Sequence, residues 1–425
     1  MNPIDSTQIK LIKELKQLLT QEKITLEQIK EIATNGLPNN SYRKILWPIL
    51  LGIENINEKN DSTEIRYHRD TNQVKQDVDR CLWKDSLGWS EIKKTRKREK
   101  LQRIIDKIMC KYESSLYYYQ GFHEVCSVFL TIFGEKKSFF LSENVALYFM
   151  HDNMNKNFNV VLKYLDIIYA LILHIDPNLH KFLQDASMNT FFATSWVLTW
   201  FSHVVSEMKS IFRLFDFFLS EHPLMPYYYS AALILYNNNL IQKCECSMSD
   251  VFNCLQSLVT EMNVEDVILI ARKLMQLYPP KVILEEMKVQ ITQEFHSVHF
   301  PILKGFDKIQ NDMISFEITV DAKNFLLQFL DNQDSDNPIL QKKPPQNTKS
   351  KLIAFVNRRK KKKPISKELQ INKQLQKVFS SKFEKNHPLF VLVKPSQSWV
   401  YLILQRFKII ILIFIIILFV FFFLY

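Results

Sequence analysis

Glycine is scarce in this chain, with six residues among 425. Loops that cradle phosphates need glycines at fixed spacing, because only a residue without Cβ lets backbone N–H groups close around an anion. Neither GxxxxGKS/T nor GxGxxG occurs, so the chain is not expected to bind or hydrolyse a nucleotide by itself. Cysteine is equally sparse: Cys81, Cys110, Cys126, Cys244, Cys246 and Cys254 include one CxC and no spaced pairs of the kind a zinc module uses. They read as ordinary thiols in a reducing compartment. His123 and Glu124 begin like HExxH, but Val125, Cys126 and Ser127 follow and the second histidine is missing. A GxSxG elbow is also absent. Hydrolases built on those chemistries are disfavoured, and no metal ligand set is expected.

Acidic residues are nearly missing from one region. Residues 338–400 hold 16 Lys or Arg against 2 Glu, a net of +14, whereas the whole chain carries +11, so the remainder is close to neutral at −3. The high pI therefore belongs to this stretch and says nothing of the rest. Arg358–Lys363 (RRKKKK) has the form of a nuclear signal or nucleic-acid patch. Beside a bilayer it would attract anionic headgroups instead, at about 1 kcal/mol per basic residue. The bilayer is expected from Ile409–Tyr425, an unbroken apolar run of 17 residues. As a helix it would span roughly 25 Å, close to the thickness of an endoplasmic reticulum bilayer. Arg406 and Lys408 precede it, and Trp399 and Tyr401 suit the interface. The positive-inside rule then puts the preceding residues in the cytosol. No signal peptide is expected at the polar, amphipathic start.

Elsewhere the rhythm is helical. Residues 6–20 and 24–34 carry apolar residues at helical spacing until Asn35 and Gly36 interrupt it. Ser41 is a candidate cap for the next helix, which bears Arg43 and Trp47. A polar span, 54–66, reads as a surface loop, and Asp70–Trp83 as a short helix. Lys93–Lys100 (KKTRKREK) reads as the solvated start of a helix continuing through Ile108, or as a face for acidic partners or lipid heads. The aromatic stripes at 191–201 and 211–229 read as core. No stretch alternates with period two between turn signals. The class expected is all-α.

Two stretches carry chemistry. In VKQDVDR, Val74–Arg80, the residues Asp77 and Arg80 are three apart and share one helix face. Such a pair is often a solvated surface contact. A carboxylate there also holds a guanidinium in one rotamer, ready to stabilise charge on a transferring phosphoryl group. In YYQG, Tyr118–Gly121, Gln120 offers a primary amide that donates and accepts, so it can hold a water and a phosphoryl oxygen together.

The order of segments is more specific than either stretch. YRKILWPILL with Arg43 and Trp47 comes first, then VKQDVDR, YYQG, FFATSWVLTWFSH from Phe191 and RLFDFFLSEHPLMP from Arg213. This succession resembles the TBC domain of Rab GTPase-activating proteins between about Gly36 and Pro280. It is nearest to an endoplasmic-reticulum-anchored subfamily. Val74 stands for the usual isoleucine, and Phe215 where many such domains have tryptophan.

The resemblance implies a multi-helix all-α domain in which Arg80 is an arginine finger and Gln120 a glutamine finger, both supplied in trans. Asp77 would orient Arg80, Tyr118 would pack beside the glutamine loop, and Gly121 would let the backbone turn close to the partner. Arg43 and Trp47 would hold the fold and shape the rim. The implied partner is a GTP-bound Rab GTPase of traffic between endoplasmic reticulum and Golgi, bringing its own GTP and Mg2+. The chain would need no cofactor of its own.

The organisation expected is a helical extension (1–35), the TBC domain (36–300), a helical end with a basic, partly disordered linker (301–400) and a transmembrane tail anchor (401–425). The anchor and linker would meet membrane lipids at the endoplasmic reticulum or early Golgi, and no nucleic acid is expected as a partner. Two other readings stay open: a non-catalytic, membrane-anchored Rab-binding adaptor, and a lipid-organising membrane protein acting through its basic tail.

Overall fold

Apolar residues recur at three- and four-residue intervals, and the backbone answers that period with helices. The computed structural model describes residues 6–21, 24–53, 61–81, 88–260 and 262–287. The chain divides into two compact units, 1–350 and 351–425, and all described residues belong to the first. The basic stretch 338–400 and the apolar run 409–425 lie outside the described residues. Among the described residues, no helix is long and apolar enough to cross a membrane.

The helices in chain order begin with α1 (Ser6–Leu19), α2 (Leu26–Thr34), α3 (Asn40–Leu50), α4 (Thr71–Arg80) and α5 (Glu91–Lys111). They continue with α6 (Phe122–Ile132), α7 (Glu135–Tyr148), α8 (Asn159–Ile175), α9 (Pro177–Asp185), a 3-10 turn (Thr190–Ala193) and α10 (Thr194–Leu198). The last are α11 (Met208–Ser220), α12 (Met225–Tyr236), α13 (Asn238–Ile241), α14 (Met248–Ser257), α15 (Val264–Leu277) and α16 (Pro280–Glu286). There is no strand among the described residues, and the class is all-α.

Local chemistry sets many of the ends. Thr25 and Gln28 form a reciprocal capping box at α2, where the Thr25 N–H donates to Gln28 Oε1 at 2.9 Å. The cap of α3 is Asn39 in place of the expected Ser41: Asn39 Oδ1 accepts from the Ser41 N–H at 2.8 Å. Asn39 stands two residues earlier, where the backbone is still extended, whereas Ser41 is already inside the helix. Ser90 caps α5, whose basic first half is mostly exposed. Its second half buries Leu101, Ile104, Ile105 and Ile108. Prolines open α9, α12 and α16, where a missing N–H costs nothing.

α12 is buried almost all round, because it packs on both α8 and α15, as expected of a helix apolar on every face. α11 runs between α2 and α3 on one side and α15 on another, and α4 lies on α5 and α6. The aromatic stripes meet in one cluster. Trp47 of α3 stacks on Phe215 of α11 at 5.9 Å and meets Phe129 of α6 edge-on at 5.6 Å. Trp200 meets Phe215 at 5.2 Å. Trp200 and Phe201 are both left-handed, with φ of 48° and 63°. Such residues cost on the order of 1–3 kcal/mol each. Burial of both rings in the cluster holds them there.

Candidate functional site

The site is built outward from one buried carboxylate. Asp77 faces inward from α4 with its side chain 0% exposed, while Arg80, one turn on, is 64% exposed. Three donors converge on Asp77. Arg80 Nη2 donates to Oδ1 at 2.6 Å, Gln73 Nε2 donates to Oδ1 at 2.9 Å, and the Tyr118 hydroxyl donates to Oδ2 at 2.9 Å. Arg80 Nε also donates to the Gln76 carbonyl at 3.2 Å. The guanidinium is thus held through Nε and Nη2 while the side chain stays 64% exposed. Burial, and then the charge of Asp77, push the Tyr118 phenol well above its ordinary pKa, so it stays a donor.

The Tyr118–Gly121 loop is fastened on several sides. Asp70, at the start of α4, makes no cap bond to its own helix; its Oδ2 accepts the Tyr118 N–H at 3.1 Å. Arg69 donates to the carbonyls of Glu113, at 2.6 Å, and Leu116, with its guanidinium 3.6 Å from the centroid of the Tyr117 ring. Tyr119 is buried, and its hydroxyl donates to the Leu198 carbonyl at 2.9 Å. Gly121 has φ +120°, and a Cβ there would stand 3.1 Å from Thr199 Cγ2. Both features favour glycine at this position. Between these fastenings Gln120 is exposed and makes no side-chain hydrogen bond among the described residues. A rigid loop therefore presents one unengaged amide.

Arg43 and Trp47 serve a different carboxylate. Arg43 Nε and Nη2 donate to Asp216 Oδ1 and Oδ2 at 3.0 and 2.8 Å, and Trp47 Nε1 donates to Oδ1 at 2.8 Å. The Leu37 N–H adds a fourth donor at 2.9 Å. Asp216 is completely buried on α11. Burial pushes its carboxyl up in pKa, opposed by Arg43 and the other donors. This knot fastens α3 to α11 and explains the RxxxW spacing, since positions i and i+4 lie on one helix face.

The comparisons with known proteins agree with this framework. The Rab-GTPase-TBC domain family matches residues 40–242. TBC1 domain family member 20 from Homo sapiens is 32% identical over 292 residues, 66% of this chain and 70% of that protein. The Bos taurus protein of the same name matches to the same extent. This chain belongs to the TBC-domain family of Rab GTPase-activating proteins. GTPase-activating protein gyp10 from Schizosaccharomyces pombe is 32% identical over 239 residues, 54% of this chain and 63% of that one. In fold, the Ypt/Rab-GAP domain of Gyp1p aligns with a TM-score of 0.51 at 14% identity, covering 64% of this chain and 98% of that domain.

Within this TBC domain, Arg80, Asp77, Tyr118, Gln120 and Gly121 come together on α4 and the loop before α6, and Arg43 and Trp47 lie apart from them on Asp216. Tyr118 does more than pack beside the loop, because its hydroxyl reaches Asp77. Sequence reasoning passed over Gln73, Asp70, Arg69 and Asp216. Gln73 was findable, since it stands four residues before Asp77 on the same helical face. Asp216 has no local signal, being 173 residues from Arg43.

Behind Tyr118 lies a second polar group. His123 Nδ1 is 3.2 Å from the Tyr118 hydroxyl and 3.8 Å from Asp77 Oδ2, while its Nε2 is 3.5 Å from Glu124 Oε1. His203 Nδ1 is 3.4 Å from the same Glu124 oxygen. Burial pushes the Glu124 carboxyl up, but the hydrogen bonds of His123 and His203 outweigh it and bring its pKa to about 2.

Proposed function

We propose that this TBC domain accelerates GTP hydrolysis on a Rab GTPase by supplying Arg80 and Gln120 in trans. One observation carries the reading: an exposed arginine and an exposed glutamine are tied to each other's supports through the buried Asp77 and the Tyr118 hydroxyl. The guanidinium of Arg80 meets charge that develops on the γ-phosphoryl oxygens. The amide of Gln120 accepts a hydrogen bond from the attacking water and donates one to a phosphoryl oxygen. Asp77 keeps Arg80 in one rotamer, so little side-chain entropy is lost at the transition state. GTP and Mg2+ would come with the GTP-bound partner.

The resemblance of the ordered motifs to an endoplasmic-reticulum-anchored subfamily suggests traffic between endoplasmic reticulum and Golgi as the setting, and the apolar run 409–425 is in keeping with a tail anchor in that membrane. Anchoring would confine the fingers to the surface that carries the lipidated Rab and raise their effective concentration there. The basic stretch 338–400 would lie against anionic lipid heads. Single-turnover GTP hydrolysis by a panel of purified Rabs, with the full-length chain and its Arg80→Ala and Gln120→Ala forms, tests the reading. Acceleration of one Rab that both substitutions abolish supports it. Substituted forms that work as well as the parent, or a complete panel without response, would leave a Rab-binding adaptor as the better account.

A further inference from the structure

Cys81, His123 and Glu124 are all buried, and one ligand atom from each lies within 4.8 Å of the other two. The cysteine follows Arg80 directly at the end of α4, and the histidine and glutamate stand in the first turn of α6. We propose that these three side chains form a zinc site that fastens the arginine-bearing helix to the glutamine-bearing loop, with the fourth position open to water.

The donor set suits the ion, since thiolate, imidazole and carboxylate are all zinc ligands and three protein ligands leave an open position. The distances suit it also. Ligand bonds of about 2.0–2.3 Å give tetrahedral edges of about 3.3–3.8 Å, and His123 Nε2 lies 3.5 Å from Glu124 Oε1. The Cys81 sulfur lies within 4.8 Å of both partners, so each of its distances would have to close by at most about 1 Å to reach such an edge.

The surroundings of His123 point the same way. A metal-bound imidazole is commonly oriented by a carboxylate at its other nitrogen. Here Nδ1 has Asp77 Oδ2 at 3.8 Å and the Tyr118 hydroxyl at 3.2 Å, which leaves Nε2 for the ion. On binding, the Cys81 thiol proton goes to solvent and the sulfur binds as thiolate. His203, 61% exposed, stands beside this group, 3.4 Å from Glu124 Oε1. Sequence spacing conceals this group because the thiol precedes HExxx by more than forty residues. The site is independent of the finger reading, and its test needs no GTPase.

The full-length chain, purified without chelator, should carry about one zinc per chain. Stripped and titrated with Co2+, it should develop a thiolate-to-cobalt charge-transfer band. Cys81→Ser should remove that band, whereas a Cys244→Ser/Cys246→Ser/Cys254→Ser form should keep it. Zinc should raise the melting temperature of the stripped parent and not of Cys81→Ser. Should Cys81→Ser fail to fold, Glu124→Gln, checked by circular dichroism, should bind zinc more weakly than the parent. No bound metal with no cobalt band, a band that survives Cys81→Ser, or unchanged affinity in folded Glu124→Gln would each overturn the proposal.

Discussion

The hydroxyl of Tyr118 donates to Asp77 Oδ2 at 2.9 Å, across 41 residues of sequence, while Asp77 Oδ1 accepts from Arg80 at 2.6 Å. One carboxylate thus joins the arginine helix to the glutamine loop. Tyr118→Phe removes the donor and leaves a lone pair of a buried carboxylate unmatched, at roughly 1–3 kcal/mol. On the proposed mechanism, stimulation of Rab GTP hydrolysis should fall by roughly tenfold or more, and less than in Arg80→Ala, because the Arg80 guanidinium itself remains. Thermal melts beside single-turnover assays check both halves of that expectation.

Arg80→Ala and Gln120→Ala should behave in the opposite way. Both side chains are exposed, and Asp77 keeps two donors when Arg80 is lost. Stability should change by about 1 kcal/mol or less, while stimulated hydrolysis drops by roughly 10³ or more for Arg80→Ala. Denaturant titration with single-turnover kinetics separates these; a large loss of stability would count against the placement of Arg80 at the surface of the site.

Asp216 should be a stability residue with no separate kinetic signature. Asp216→Ala leaves the Arg43 guanidinium, 8% exposed, as an uncompensated buried charge, at about 3–5 kcal/mol. Arg43→Lys should also destabilise, because an ammonium cannot reproduce the two-oxygen fork. Urea melts of the three forms give the comparison.

Gly121→Ala meets two obstacles, the φ of +120° and Thr199 Cγ2 at 3.1 Å. The expected cost is on the order of 1–3 kcal/mol, with reduced stimulation as the Gln120 loop shifts. Adding Thr199→Ser removes the methyl and should restore part of the loss, leaving the backbone contribution. Rescue to the full parent level would show that the conformation at Gly121 carries no strain.

Acid should weaken the domain through His222. Its Nδ1 accepts the Leu224 N–H at 3.1 Å, and burial, with Lys30 nearby, holds its pKa down to about 4. The folded value lies below the unfolded one near 6.5, so the neutral form is the one that suits the fold. Stability from this group is complete above the unfolded value and is lost as pH falls from about 6.5 toward 4, on the order of 3 kcal/mol at most. In His222→Asn the stability profile between those limits should flatten, measured by melts across that range.

Much of this molecule was legible in its sequence. The helical period, the burial of the aromatic stripes and the one-face placement of Asp77 with Arg80 all follow from a repeat of 3.6 residues per turn. The ordered motifs also identified the family. That legibility has a single physical source, since backbone geometry alone decides which residues within one helix share a side. What joins separate elements was decided only by tertiary structure. Asp216 under Arg43 and under Trp47, Asp70 on the Tyr118 N–H, and Tyr118 on Asp77 are contacts across 173, 169, 48 and 41 residues. The grouping of Cys81 with His123 and Glu124 is of the same kind. Such pairs have no spacing to read, because the distance between their side chains is set by how the helices pack and not by how many residues separate them.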